Sequence, residues 1–318
     1  MRSLLRYLPS KKTLSVIVTV ISVVLTAVCT VELIRRLTAA PDDVANSLLA
    51  LFSNEWLIVV ELLLLLVNIS LESLKWWLIN GRNYQCYKWW QVVGTVLVAT
   101  AFGGVTPGRV GEHVARMQDG ESKSDALIGS LVSSIVQTMV IVLFALVAFL
   151  FYHVGQTACE LITHDADISI GWFLVVVAVL LVVVSLLFGY VLLRWRNNAY
   201  TQRFTARRLC LIFGVNALRY VVFATQLVLL LLYGAETQIW TLYIFSTFYY
   251  FLITVLPSIN IIDVGVKNEV AIIVFGGMLG EPTIFTAVFV VWLINTCLPS
   301  LLGLLYNLGK IFRRIVVA

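Results

Sequence analysis

Six long apolar runs, at residues 13–33, 56–79, 125–151, 171–193, 209–233 and 283–306, leave this chain few ways to fold. Coiled as a helix, each is long enough to cross a hydrocarbon layer of about 30 Å. Of the 318 residues, 60% are apolar and only 12% are charged, and the mean hydropathy is +0.96. A soluble domain carries roughly twice that share of charge, so too little polar surface exists here to face water on every side. The expected fold is an all-α polytopic membrane protein, a single integral membrane domain over residues 1–318. The net charge of +5 does not point to a nucleic-acid partner, because Lys and Arg gather between the apolar runs instead of forming a basic stripe.

Two further apolar stretches are broken. The stretch 91–102 holds only 12 residues before Gly103, Gly104, Pro107, Gly108 and Gly111 arrive together. Such a helix stops part-way through a bilayer. The stretch 238–256 meets Pro257, Ser258, Asn260, Asp263 and Gly265, and a short run over 266–277 follows. Charge decides whether these segments cross or turn back. If both turn back, the loops on the starting side hold 15 Lys and Arg and the other side holds 2; if both cross, the split is 9 against 8. The positive-inside rule selects two re-entrant broken-helix hairpins, six crossing helices and two cytoplasmic termini. A plasma-membrane location, of the bacterial inner-membrane kind, is expected.

The same count exposes an internal repeat. A first half over 13–151 and a second over 171–306 each read crossing helix, crossing helix, broken hairpin, crossing helix, at an offset near 158. Three crossings per half give the halves inverted topology, the arrangement found in alternating-access transporters.

Polar residues inside these segments are the candidate site. Thr106 and Pro107 read as an N-cap and first helical residue, so the returning half-helix would open its free N–H groups toward an anion. On it Arg109, Glu112, His113 and Arg116 fall on one face. Arg109 there implies a phosphate partner, or an internal ion pair of Glu112 with Arg109 or Arg116. In the second hairpin, Gly265 and Glu269 repeat the spacing of Gly108 and Glu112, with Asp263 as a candidate N-cap and Lys267 one turn beyond. Arg219 lies near the middle of its run and must face a partner or a wet cavity, either pairing with Glu72 or contacting the ligand. In the second helix Glu61, Asn68, Glu72 and Lys75 form one inward stripe, with Asn68, Glu72 and Asp263 as candidates for coupling or gating. Ser133, Ser134, Gln137, Thr138, Asn295 and Thr296 read as packing glue.

The sequence Pro107-Gly108-Arg109-Val110-Gly111-Glu112, with Arg116 four residues on, resembles the core motif of the lysylphosphatidylglycerol synthase transmembrane region, the flippase-like domain family. The resemblance extends over nearly the whole chain. The second motif departs from the family pattern: Lys267 stands in place of an Arg, and Asn268 is interposed before Glu269. The resemblance implies a module that moves an aminoacylated or anionic phospholipid, or a polyprenyl-phosphate lipid, between leaflets. It also leaves open service as a non-catalytic subunit or scaffold for a separately encoded glycosyltransferase or lipid-modifying enzyme. The sequence closes at Ala318 soon after the last apolar run, so a self-sufficient lipid aminoacylase is not expected.

Other chemistries find little support. The cysteines at 29, 86, 159, 210 and 297 form no CxxC, and the histidines at 113, 153 and 164 no paired spacing, so neither a metal site nor a cofactor is expected. A rhomboid-like protease needs a Ser paired with a His, and only His153 lies in a crossing helix near Ser130. The expected role is transport without enzyme activity, with an integral lipid transferase left open as a third reading.

Overall fold

Long apolar runs satisfy their own backbone groups only as helices when no water is at hand. In the computed structural model, which describes residues 11–80, 88–106, 109–117, 123–159, 204–234, 237–256 and 263–317, every regular element is accordingly helical. In order these are α1 (Lys11–Ala39), α2 (Pro41–Ser53), α3 (Glu55–Asn80), α4 (Trp89–Gly104), α5 (Val110–Met117), α6 (Lys123–Cys159), α7 (Ala206–Leu232), α8 (Ile239–Val255), α9 (Val264–Phe275) and α10 (Glu281–Trp292). A π-helical segment, Leu293–Cys297, then leads into α11 (Leu298–Val317).

Among the described residues, four stretches are long and apolar enough to cross a membrane: Glu55–Asn80, Lys123–Tyr152, Ala206–Leu232 and Glu281–Phe312. They coincide with the runs 56–79, 125–151, 209–233 and 283–306. The run 13–33 lies within α1, and the run 171–193 lies outside the described residues. The chain is therefore a helical protein of membrane type. Its outer faces agree: Leu63, Leu66, Ile273, Leu301 and Leu305 are all exposed, as lipid-facing side chains would be. Trp56, Trp90 and Trp240 are exposed at the starts of α3, α4 and α8, where interfacial tryptophans belong.

The broken stretches end where the sequence stops them, α4 at Gly104 and α8 at Val255, and each is followed by a short helix that packs against it. One element was not anticipated. Helix α2 is too short to span, yet Pro41 begins it and Asp42 and Asp43 fill its first turn, a favourable helix start.

Lipid gives apolar helices little reason to associate, so close backbone approach matters. Gly265 of α9 lies on the backbone of α1 at Cys29 and Thr30, where an added Cβ would come within 2.8 Å of main-chain atoms. Gly303 of α11 lies equally tight on the Leu97 carbonyl of α4. The contacts pair α3 with α7, α4 with α11, and α6 with α8. One apolar cluster joins Tyr220, Leu227 and Leu231 of α7 to Leu242, Phe275 and Ile284; a second joins Trp76, Val96, Val132 and Ile212.

Candidate functional site

The site grows from one face of α3. Residues spaced by seven, eleven and fourteen along a helix share a face, and Glu61, Asn68, Glu72 and Lys75 are all buried there. Glu72 is the hub. Its carboxylate meets Lys75 Nζ at 2.5 Å, Arg116 Nη2 at 2.7 Å and Arg219 Nη1 at 2.8 Å. Arg116 is 2% exposed and lies with its guanidinium 4.4 Å from the centre of the Trp76 ring, a cation–π contact. Glu112 carries the cluster onward, to Arg116 at 2.6 Å and Arg109 at 2.8 Å. Both ion pairs that the sequence left open as alternatives to a phosphate are thus formed, as is the pair of Arg219 with Glu72.

The start of α5 differs from the sequence expectation. The helix begins at Val110, and Arg109 precedes it with φ of 59°. Pro107 and Gly108 lie outside the described residues. Thr106 still caps, but at a distance: its hydroxyl accepts the Gly111 N–H at 2.7 Å, while the Arg109 N–H donates to the Thr106 carbonyl at 3.1 Å. Arg109 thus stands in the turn ahead of the helix, and only Glu112, His113 and Arg116 belong to its face. A side chain in the left-handed region costs about 1–2 kcal/mol. Arg109→Gly and Arg109→Ala both remove the pair with Glu112, but only the alanine retains the backbone cost. The glycine variant is expected to melt higher than the alanine variant by that margin, read from thermal unfolding in detergent.

In the second broken segment, Asp263 occupies the N-cap position of α9 but its carboxylate makes no capping bond; it pairs instead with Lys267 Nζ at 2.8 Å. Glu269 sits elsewhere. It faces Arg36 of α1 at 3.2 Å, in a group where Arg36 also meets Glu32 at 3.3 Å and Glu281 at 2.8 Å. A spacing match between Glu112 and Glu269 did not carry over because Asn268, fully buried, takes the inward position.

Between these elements lies a cavity of about 500 Å³, lined by Asn68, Glu72, Arg109, Glu112, His113, Gln137, Arg219, Tyr249, Tyr250, Asp263, Lys267, Asn295 and Thr296 among others. Eight of the twelve sequence candidates line it, drawn from both broken segments. Arg116 lies behind the wall, Glu269 is outside, and Pro107 and Gly108 are not described. Among the described residues, the wall and the layer paired to it hold five cations (Lys75, Arg109, Arg116, Arg219, Lys267) and three carboxylates (Glu72, Glu112, Asp263). The excess of two positive charges sits amid apolar helices. Such a cavity favours an anion, since buried charge of one sign is costly without a counter-charge.

Two residue groups were undervalued from sequence. Gln137 and Asn295 accept and donate within the charged network: Gln137 Oε1 accepts from Arg219 at 3.1 Å and from Lys75 at 3.5 Å, and Asn295 Oδ1 accepts from Asn68 at 2.9 Å. Gln226 was not singled out; a Gln amid an unbroken Leu and Val run was the available signal. Ser130 does have a histidine partner, contrary to expectation: His113 Nδ1 lies 2.7 Å from its Oγ. Ser130 is 1% exposed and does not line the cavity, so the pair ties α5 to α6 and presents no nucleophile to a substrate. Among the described residues no group of His, Cys, Asp or Glu could hold a metal ion.

Compared with known proteins, the chain matches no family model, and no curated protein matches it.

Proposed function

We propose that this protein is a flippase-like lipid transporter that holds an anionic headgroup in the central cavity while the acyl or prenyl chains stay in the bilayer. The observation that carries this reading is the cavity's excess of two positive charges within an apolar helical bundle. That sign favours a phospholipid or polyprenyl-phosphate headgroup over a cationic aminoacylated one, for which the cavity would be repulsive. Exposed apolar helix faces would let the lipid tails remain outside.

In this reading α4 with α5, and α8 with α9, are re-entrant hairpins entering from opposite faces of a plasma membrane. The helices before and after them, with the runs 13–33 and 171–193, make six crossings, and both termini are cytoplasmic. The halves 13–151 and 171–306 are inverted repeats. Helix pairing supports this: α3 and α7 are equivalent under the repeat and pack on each other, while the last helix of each half, α6 or α11, packs on the first hairpin arm of the other. Alternating access would then rock one half against the other about the cavity.

The test is headgroup selectivity in proteoliposomes. Leaflet redistribution should be faster for marked phosphatidic acid or polyprenyl phosphate than for phosphatidylcholine, and slowest for lysyl-phosphatidylglycerol. Equal rates for all four would reject the cavity as the recognition site.

A further inference from the structure

Glu61 stands apart from the charged cluster. It lies on the same α3 face as Glu72, eleven residues or about 16 Å away, and is 0% exposed. Neither of its carboxyl oxygens has a hydrogen-bond partner within 3.5 Å, and the polar group acting on the carboxyl is the Gln226 side chain. Helix α7 sets Gln226 beside it and α8 sets the phenol of Tyr250 near it. Among the described residues, no charged side chain of α2, α4, α6 or the π segment acts on it. An ionised carboxylate in such a place would be an isolated buried charge, whereas the neutral acid is tolerated.

What lies next to Glu61 is ordered in one direction. The Gln226 amide donates to the Glu61 main-chain carbonyl at 3.2 Å, Asn295 donates to Gln226 Oε1 at 3.0 Å, Asn68 donates to Asn295 Oδ1 at 2.9 Å, and Arg219 Nε donates to Asn68 Oδ1 at 2.7 Å. Three amides thus point head to tail from the guanidinium in the cavity to the turn that bears Glu61. Hydrogen bonds in such a chain polarise one another.

We propose that Glu61 is a proton-binding site linked through Gln226, Asn295 and Asn68 to Arg219, so that a proton and an anionic headgroup bind together. This rests on reading the cavity as an anion site. A proton from water adds to a Glu61 carboxylate oxygen and gives the neutral acid. Losing it leaves a carboxylate that draws the Gln226 amide off the main-chain carbonyl and breaks the chain behind Arg219. The new negative charge also offsets part of the cavity's positive excess. Both effects weaken anion binding, and by linkage a bound anion tightens the proton.

The test uses the full-length protein in detergent with short-chain phosphatidylglycerol, whose diester charge does not change near neutral pH. Wild-type affinity should fall by roughly fivefold or more as pH rises through the titration of Glu61, the lower bound of ordinary coupling between sites. Glu61→Gln should remove that part of the dependence; any slope it keeps belongs to His113, which lines the cavity, or to Lys75 in the layer behind it. The infrared carbonyl stretch of a protonated carboxylic acid should be present in wild type and absent in Glu61→Gln. Asn295→Ala, which cuts the relay away from Glu61, should keep the infrared band and reduce the coupling to the part carried by charge alone, and it carries the test if Glu61→Gln folds poorly. An unchanged band in Glu61→Gln, or unchanged pH slopes in both variants, would overturn the proposal. Failure of wild type to bind phosphatidylglycerol at any pH would overturn the anion site and the coupling, while the infrared band would still report on the proton site.

Discussion

Replacing Glu72 with leucine is expected to cost about 3–5 kcal/mol of stability, the range seen when one partner of a buried ion pair is removed. The reason is the hub geometry: one carboxylate serves Lys75, Arg116 and Arg219. Its loss leaves those cations with Glu112 as their one close carboxylate in the cluster, through Arg116 alone. Coupling Glu72→Leu with Arg219→Met should recover part of the loss and no more, because Lys75 would still lack its acid and Arg116 would keep Glu112 alone. Thermal melts of the single and double variants in detergent read this directly. A single variant within 1 kcal/mol of wild type would show that the cluster does not depend on Glu72.

Arg219→Lys is the second large effect, and it falls on recognition as well as stability. The arginine uses its planar fork fully: Nε donates to Asn68 at 2.7 Å, and Nη1 meets Gln137 at 3.1 Å and Glu72 at 2.8 Å. A lysine keeps the charge opposite Glu72 but is a point donor on a flexible stem and cannot hold Asn68 and Gln137 in the same plane. The bonds to Asn68 and Gln137 are present without lipid, and each charged hydrogen bond lost costs about 1.5–3 kcal/mol, so the lipid-free melt should fall; the loss of the planar fork should in addition weaken binding of an anionic lipid at least tenfold. A melt without lipid measures the first, and calorimetric titration with phosphatidic acid the second. A lower melt with unchanged affinity would assign Arg219 to packing alone.

The fold was legible wherever apolarity or Gly and Pro spoke without ambiguity. The runs at 56–79 and 209–233 fall on α3 and α7 nearly to the residue, and α4 and α8 stop at their breaks. Helix α2 escaped because its apolar content is too short for a span, although Pro41, Asp42 and Asp43 marked its start. The α3 stripe was readable from spacing, since helical period alone fixes which residues share a face. The partners of that stripe were readable only in part: Arg219 with Glu72, and Glu112 with Arg109 or Arg116, were open alternatives, but the pairs of Arg116 with Glu72 and of Glu269 with Arg36 depend on helix packing. Glu269 shows this most clearly. Its spacing from Gly265 matches that of Glu112 from Gly108, yet burial of Asn268 turns it toward Arg36.

The short π-helical segment Leu293–Cys297 carries a consequence for how this protein tolerates change in length. A π turn holds one residue more than the α-turn it replaces, and one residue is worth about 100° of rotation around a helix axis. Asn295 sits in that turn, bonded to Asn68 on one side and Gln226 on the other. Removing a single residue there would restore a regular helix without breaking its apolar character, so span and hydropathy would be unaffected. Because the bulge absorbs the extra residue, α11 would keep its phase, but the turn that holds the Asn295 amide between Asn68 and Gln226 would be gone. Length, not composition, is therefore the guarded quantity in the last helix. Related chains would be expected to vary freely in which apolar residues they use here and hardly at all in how many.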